Sequence, residues 1–415
     1  MTFTIEDKIG MTFAIYLGVI NELEEKIMLL LKNCEVYAPE YMGKKDILMS
    51  GGSIELIADS LEDYAKLPEI EVLECEGKIA FPGFIDSHVH ICGAGGEGGF
   101  KTRTPEIKMT DLTVAGVTTV IGLLGTDGIG RSMENLVSKA KGLKEEGISA
   151  YVFTGSYQVP VRTLTGEIMK DITMIDEIIG VGEIAISDHR SSQPMKECVT
   201  KLVADARVGG LLSGKAGVVH FHLGSGTDRL KMLNEIIEET ELPITQFYPT
   251  HVNAYPELFE CAVDFAKKGG YIDFTTSTTP YFIATGEVKA AEALKICLEK
   301  GVSKKQITFS SDAQGSLPCF DENGKLEGLL IGKASSLYES VREAIMELNV
   351  DVEDAIRVIT ENPASVLKLE NKGRIKNGMD GDVVLVDNSN YEIETVISRG
   401  TIMYSDSKHV IGDTF

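Results

Sequence analysis

Between residues 80 and 312 the chain alternates short apolar runs with helical segments, and that alternation limits its fold more than any other feature. The runs are "AFPGFIDSHVH" (80–90), "GVTTVIGLLG" (116–125), "SAYVFTG" (149–155), "EIIGVGE" (177–183), "GVVHFHL" (217–223), "ITQFYPTH" (244–251), "YIDFTTS" (271–277) and "ITFSSD" (307–312). Between them, "TDRLKMLNEIIEET" and "YPELFECAVDFAKK" space their apolar residues by three and four, the period of a helix face. "TPEIKMTDLTVA" offers Thr104 as an N-cap and Pro105 at the first helical position. Alternating strands and helices imply a parallel sheet. Eight such units predict an α/β protein with a (β/α)8 barrel of the TIM type.

The ends of the chain read differently. "MLLLKNCEVYA", "DILMSGGSIELIA" and "EVLECEGKIA" near one end, and "GRIKNGMDGDVVLVD" and "YEIETVISRGTIMY" near the other, are short β runs broken by turns. They predict one small β-sandwich built from both ends, residues 28–80 and 371–415, around a barrel over 81–370. Residues 1–27 read as an N-terminal extension. Their apolar stretch "IGMTFAIYLGVI" (9–20) is about half the length of a membrane span, and Glu6 and Asp7 precede it rather than basic residues.

A net charge of −23 argues against binding a phosphate backbone, so no nucleic-acid or membrane partner is expected. The seven cysteines are scattered with no CxxC pair, which reads as reduced thiols and a cytoplasmic location.

Polar residues gather at the strand ends. Of the seven histidines, 88, 90, 220, 222 and 251 sit at or near the C-terminal end of a candidate barrel strand, where barrel enzymes build their sites. In "HVH" (88–90) the two imidazoles, at i and i+2 of a strand, point the same way and can meet one ion. "HFH" (220–222) can do the same, His251 ends another run, and Asp312 ends the last. Imidazole with carboxylate suits zinc, with manganese, iron and cobalt as alternatives. One polar residue is out of place on other grounds. Glu183 ends the apolar run "EIIGVGE", and a charge there is costly unless it is paired or binds a metal.

"PGFIDSHVH", "HFHLG", "PTHVN" and "SSD", in that order, resemble the amidohydrolase superfamily of metal-dependent hydrolases. "GGEGG", "TRTPE", "AGVTTVIGLLGTD", "EEGISAY", "ISDHRS" and "RVGGLL" resemble, within it, the isoaspartyl dipeptidase family, from about residue 28 to the C-terminus. That resemblance implies a barrel with a β-sandwich and two divalent ions, with zinc the leading candidate. It implies hydrolysis of β-aspartyl dipeptides by a metal-bridging hydroxide, and a homo-oligomer. It assigns His88, His90 and Asp312 to one ion and His222 and His251 to the other, and makes Asp312 the acid/base. His220, His189 and His409 match no ligand.

On the same basis Glu97 would meet the substrate's α-ammonium, and Gly95, Thr126 and Ser316 would surround its aspartyl carboxylate. Tyr157 would close over the site and help polarise the carbonyl, and Arg190 would bind the terminal carboxylate. Plainer readings stand beside these: a solvated Glu97, an Arg190 paired with Asp188, and Thr126 as a helix cap.

The chain departs from the family pattern twice. A second arginine, three residues after the "PTHVN" histidine, is Ala254 here. A lysine whose CO₂ adduct bridges the ions is replaced by Glu183. A glutamate carries an equivalent charge but reaches roughly 4 Å less far. The backbone must therefore come inward, and Gly180 and Gly182 predict an irregularity at 180–183. The runner-up enzyme is a related amidohydrolase acting on a cyclic imide or an N-acyl amino acid. A non-catalytic scaffold relative is disfavoured, because every ligand position holds a competent residue.

Overall fold

The computed structural model describes residues 28–320 and 326–415; the segment 1–27, read above as an extension, lies outside the described residues. All eight barrel strands form within the predicted runs or extend them slightly. They are β6 (Phe84–Val89), β7 (Val117–Gly122), β8 (Ser149–Thr154), β9 (Ile178–Ile186), β10 (Val218–Leu223), β11 (Phe247–Thr250), β12 (Ile272–Thr275) and β13 (Ile307–Ser310). Side chains alternate across them, as a period of two requires. On β10, Val219, Phe221 and Leu223 pack outward into the core shared with the helices, and Val218 joins the interior core with Ile85, Phe153 and Tyr248. His220 and His222, in step with Val218, therefore face the barrel axis. Helix Pro256–Lys267 buries Leu258, Phe259, Ala262, Val263 and Ala266, each larger member contributing about 1.5–3 kcal/mol.

The ring of strands is not a uniform ladder. β6 to β11 form one parallel sheet, while β12 and β13 pair only with each other. The β13 end closes onto β6 through Asp312 N–H to His88 O (3.1 Å) and His90 N–H to Ala313 O (2.9 Å). Between β11 and β12 a side chain takes the ladder's place. The Asn253 amide donates to Thr275 O (3.0 Å) and accepts from Thr275 N–H (2.9 Å), as a peptide group would.

Both ends of the described chain enter a second sheet. β1 (Met28–Tyr37), β2 (Tyr41–Ser50), β3 (Ser53–Ala58), β4 (Ile70–Glu74) and β5 (Lys78–Pro82) join β16 (Val383–Asp387), β17 (Ile393–Ser398), β18 (Thr401–Ser405) and β19 (Lys408–His409) through the β5–β16 pairing. The sheet wraps a core of its own that includes Leu29, Leu31, Val36, Ile47, Val383, Leu385 and Ile397. Alternate residues Ile79, Phe81, Val384 and Val386 turn the other way, into the barrel core. A hairpin, β14 (Ser316–Phe320) and β15 (Leu326–Ile331), follows the last barrel strand. Among the described residues no helix is long and apolar enough to cross a membrane.

Two local expectations are corrected. Thr104 does not cap a helix, and the helix is confined to Met109–Thr113. The Thr104 hydroxyl is instead buried between Ala94 N–H (2.6 Å) and Gln314 O (2.6 Å), tying two loops together. β9 does not stop at Glu183 but runs to Ile186, because Ile184, Ala185 and Ile186 pair with Phe221, His222 and Leu223.

Candidate metal centre and substrate rim

The irregularity expected at 180–183 is present. Val181 pairs with Val219 of β10 but the next partners are Ile184 and Phe221, so β9 holds one residue more than β10 there. A Cβ on Gly180 would lie 2.6 Å from Val218 O, and one on Gly182 would lie 2.8 Å from His220 Cβ. Glycine alone allows β9 this close to β10. The Gly182–Glu183 peptide is cis. Glu183 follows, 1% exposed, with its carboxylate on the barrel axis.

The two carboxylate oxygens of Glu183 face different histidines. Oε1 lies 3.6 Å from His90 Nε2. Oε2 lies 3.6 Å from His88 Nε2, 3.2 Å from His222 Nδ1 and 3.5 Å from His251 Nε2. Asp312 completes the cluster, with Oδ1 3.0 Å from His90 Nε2 and 3.5 Å from His88 Nε2. His88, His90 and Asp312 form one group able to hold an ion, and His88, Glu183 and His251 form another. His222 is outside both groups. Its Nδ1 lies 2.9 Å from the Tyr157 hydroxyl while still facing Glu183. His251 and Asp312 both adopt positive φ, 58° and 53°, a strained backbone typical of functional sites.

Burial would raise the carboxyl pKa of Glu183, but His88, His222 and His251 hold it well below the usual range. His88 and His90 do the same for Asp312 against its own burial. Burial lowers His220 and His251 in turn. His251 falls to about 4, while the charges of Glu183 and Asp312 overcome burial at His88 and push it up to about 9. Tyr157 goes the other way, its phenol raised well above the usual value by burial and then by Glu183. The site therefore holds two ionised carboxylates among imidazoles and a neutral phenol.

The rim residues also come together, on loops. The Glu97 carboxylate accepts from the Thr126 hydroxyl (2.9 Å), so Thr126 is not a cap. It also lies 3.6 Å from the Arg190 guanidinium. Arg190 stands over the Tyr157 ring, 5.3 Å from its centroid. Gly95 has φ 69°, and a Cβ there would lie 2.6 Å from Thr102 O and 3.2 Å from Ser316 Cβ, so Ser316 abuts the Gly95 loop. The paired reading of Arg190 also holds in part. Asp188 takes it through two parallel bonds, Nε to Oδ1 (3.0 Å) and a terminal nitrogen to Oδ2 (2.8 Å).

Several contributions, including any role for Asp188 beyond its pairing with Arg190, were not singled out from sequence. Asp188 Oδ2 also meets His222 Nε2 at 3.0 Å, so one carboxylate orients both a cluster histidine and the rim arginine. Thr275 meets His251 Nδ1 at 2.6 Å. Arg131, 4% exposed, donates to Cys92 O (2.9 Å), Ala94 O (2.8 Å) and Thr104 O (3.0 Å), holding the loop that carries Gly95 and Glu97. Their neighbours in space are distant in sequence, so no spacing announced them. His189 and His409 are exposed and lie outside the cluster.

Residues 79–403 match the Amidohydrolase family, and the chain belongs to it. Within that fold it is similar to two crystal structures of β-aspartyl dipeptidase from Fervidobacterium islandicum AW-1. The one in complex with β-Asp-Leu dipeptide is 46% identical, with a TM-score of 0.87 over 94% of this chain and 100% of that one. The other is 44% identical, with a TM-score of 0.85 and the same coverage. A dihydroorotase of Listeria monocytogenes serotype 4a (strain HCC23) is 24% identical over 93% of this chain and 95% of that protein. A D-hydantoinase structure, 17% identical with a TM-score of 0.65 over 93% of this chain and 96% of that one, shares the fold.

Proposed function

We propose that the chain is a binuclear zinc-dependent dipeptidase that hydrolyses β-aspartyl (isoaspartyl) dipeptides. The observation that carries this reading is one barrel mouth with a carboxylate-linked imidazole cluster below an opposed Glu97–Arg190 pair. The donor set fits divalent ions. His88 Nε2 and Asp312 Oδ1 are buried without a hydrogen-bond partner, 3.5 Å apart, and such orphans are rare unless something binds them. His88, His90 and Asp312 would hold one ion, His222 and His251 the other, and Glu183 both. Ions held there supply an acidified water and polarise a carbonyl.

The chain's own residues do the rest. Asp312 moves a proton from the attacking water to the leaving amine nitrogen, a role suited to a carboxylate kept ionised at neutral pH. Tyr157 donates its phenolic hydrogen to the developing oxyanion. Glu97 binds the substrate's ammonium, and Arg190 binds its terminal carboxylate through the fork geometry it already uses with Asp188. Gly95, Thr126 and Ser316 take the aspartyl carboxylate. We take 81–370 as the barrel unit, 28–80 with 371–415 as the sandwich, and the working form as a cytoplasmic homo-oligomer.

A second reading, hydrolysis of a cyclic imide, is favoured by the likeness to a dihydroorotase over 93% of this chain and by Ala254 at the position of the family's second arginine. The test is zinc-loaded protein assayed on β-Asp-Leu, α-Asp-Leu and dihydroorotate. The proposal expects β-Asp-Leu to be cleaved about 100-fold or more faster than the α isomer, the loss a site incurs when its polar groups go unpaired. Equal rates on the two isomers, or turnover of dihydroorotate alone, would sink it.

A further inference from the structure

His220 is the cluster's unassigned histidine. It is fully buried, on the same inward face of β10 as His222, between the rings of Phe153 and Tyr248. Its Nδ1 lies 3.0 Å from the backbone carbonyl of Tyr248. Its Nε2 lies 2.9 Å from His88 Nδ1. These two contacts fix where the hydrogens are. A carbonyl only accepts, so His220 Nδ1 carries a hydrogen. No carboxylate bonds to either His220 nitrogen among the described residues, and a buried imidazole without one stays neutral. His220 Nε2 is then a lone pair, and His88 Nδ1 must be the donor to it. That leaves His88 Nε2, the orphaned atom, as the nitrogen that faces Glu183 and Asp312 and can give up its hydrogen to an ion.

We infer that His220 is a positioning residue for metal binding: with the Tyr248 carbonyl it forms a relay that locks His88 in the tautomer whose Nε2 is free to ligate an ion. The inference rests on the proposed role of His88 as a ligand. His220 touches neither ion nor substrate. It acts through His88, as Asp188 acts on His222 and Thr275 on His251. Partners of this kind fix the ring's tautomer and orientation and raise its basicity as a ligand. The backbone end of the relay matters, because no side-chain substitution at 248 removes it.

The test compares two substitutions of similar length in the full chain. His220→Gln keeps one donor and one acceptor; His220→Met keeps neither. Zinc affinity is read by competition with a chromophoric chelator, and folding by the thermal melt of each metal-free protein. The inference expects His220→Met to weaken zinc binding about 10- to 100-fold, the usual cost of losing such a partner, and His220→Gln to recover most of that loss.

A second readout needs no substitution. In zinc-loaded wild-type protein labelled with ¹⁵N at histidine, a nitrogen–nitrogen coupling should cross the hydrogen bond from His88 Nδ1 to His220 Nε2. Equal zinc affinity in the Gln and Met variants overturns the inference, as does a missing coupling. If wild-type protein itself takes up no zinc, the metal-site reading fails first, so the two failures are distinguishable.

Discussion

The floor of the site and its rim are built on opposite principles. The floor residues His88, His90, Glu183 and His222 lie on strands or at their ends, all at most 7% exposed, and among the described residues His88 Nε2, His90 Nδ1 and Asp312 Oδ1 find no hydrogen-bond partner. The rim residues Glu97 and Arg190 lie on loops with side chains 39% and 33% exposed, already paired with each other and with Thr126 and Asp188. A floor with unmet bonds implies a resident ion. A rim with self-satisfied charges suits the proposed role, in which Glu97 and Arg190 exchange partners with a zwitterionic dipeptide. Substitution should therefore separate chemistry from binding.

The largest effect is expected at the floor. Asp312→Asn should cut kcat by about 10³-fold, the weight of a general acid/base, with KM little changed. A rise in KM alone, read from steady-state rates, would break the division. Arg190→Met should do the reverse, raising KM about 100-fold with zinc content unchanged, since a charge-assisted bond contributes about 1.5–3 kcal/mol. Loss of zinc in that variant, measured by elemental analysis, would show that Asp188 couples rim to floor.

Arg131→Met strips the hydrogen bonds from three loop carbonyls. It should cost about 3 kcal/mol in urea unfolding and raise KM about tenfold without touching zinc binding. Thr126→Val removes one neutral hydroxyl from Glu97 and should raise KM only a few-fold, the worth of a single such bond.

The same division explains what could be read from the chain itself. The floor was legible because it obeys strand periodicity. His88 and His90 share a face at i and i+2, Glu183 interrupts an apolar run, and Gly180 and Gly182 mark where β9 must approach β10. The rim was legible only by resemblance, because loops impose no period, and the supporting residues Thr275 and Arg131 were not legible at all.

Other features were hidden for specific reasons. Thr104 looked like a cap since Pro105 follows it, but a buried hydroxyl bonds wherever a partner lies, here Ala94 and Gln314. Asp188 and His220 act through partners more than 30 residues away, as the separations of 34 to His222 and 132 to His88 record. The Asn253 seam between β11 and β12 replaces a ladder that periodicity could only suppose.

The central claim is that an encoded glutamate, rather than a CO₂-modified lysine, completes the floor. It is tested most directly by stripping the metal and reconstituting with zinc in CO₂-free buffer, with and without added bicarbonate, then measuring β-Asp-Leu hydrolysis. Glu183 as the bridge predicts the same recovered activity in both. Activity that returns only with bicarbonate would contradict it.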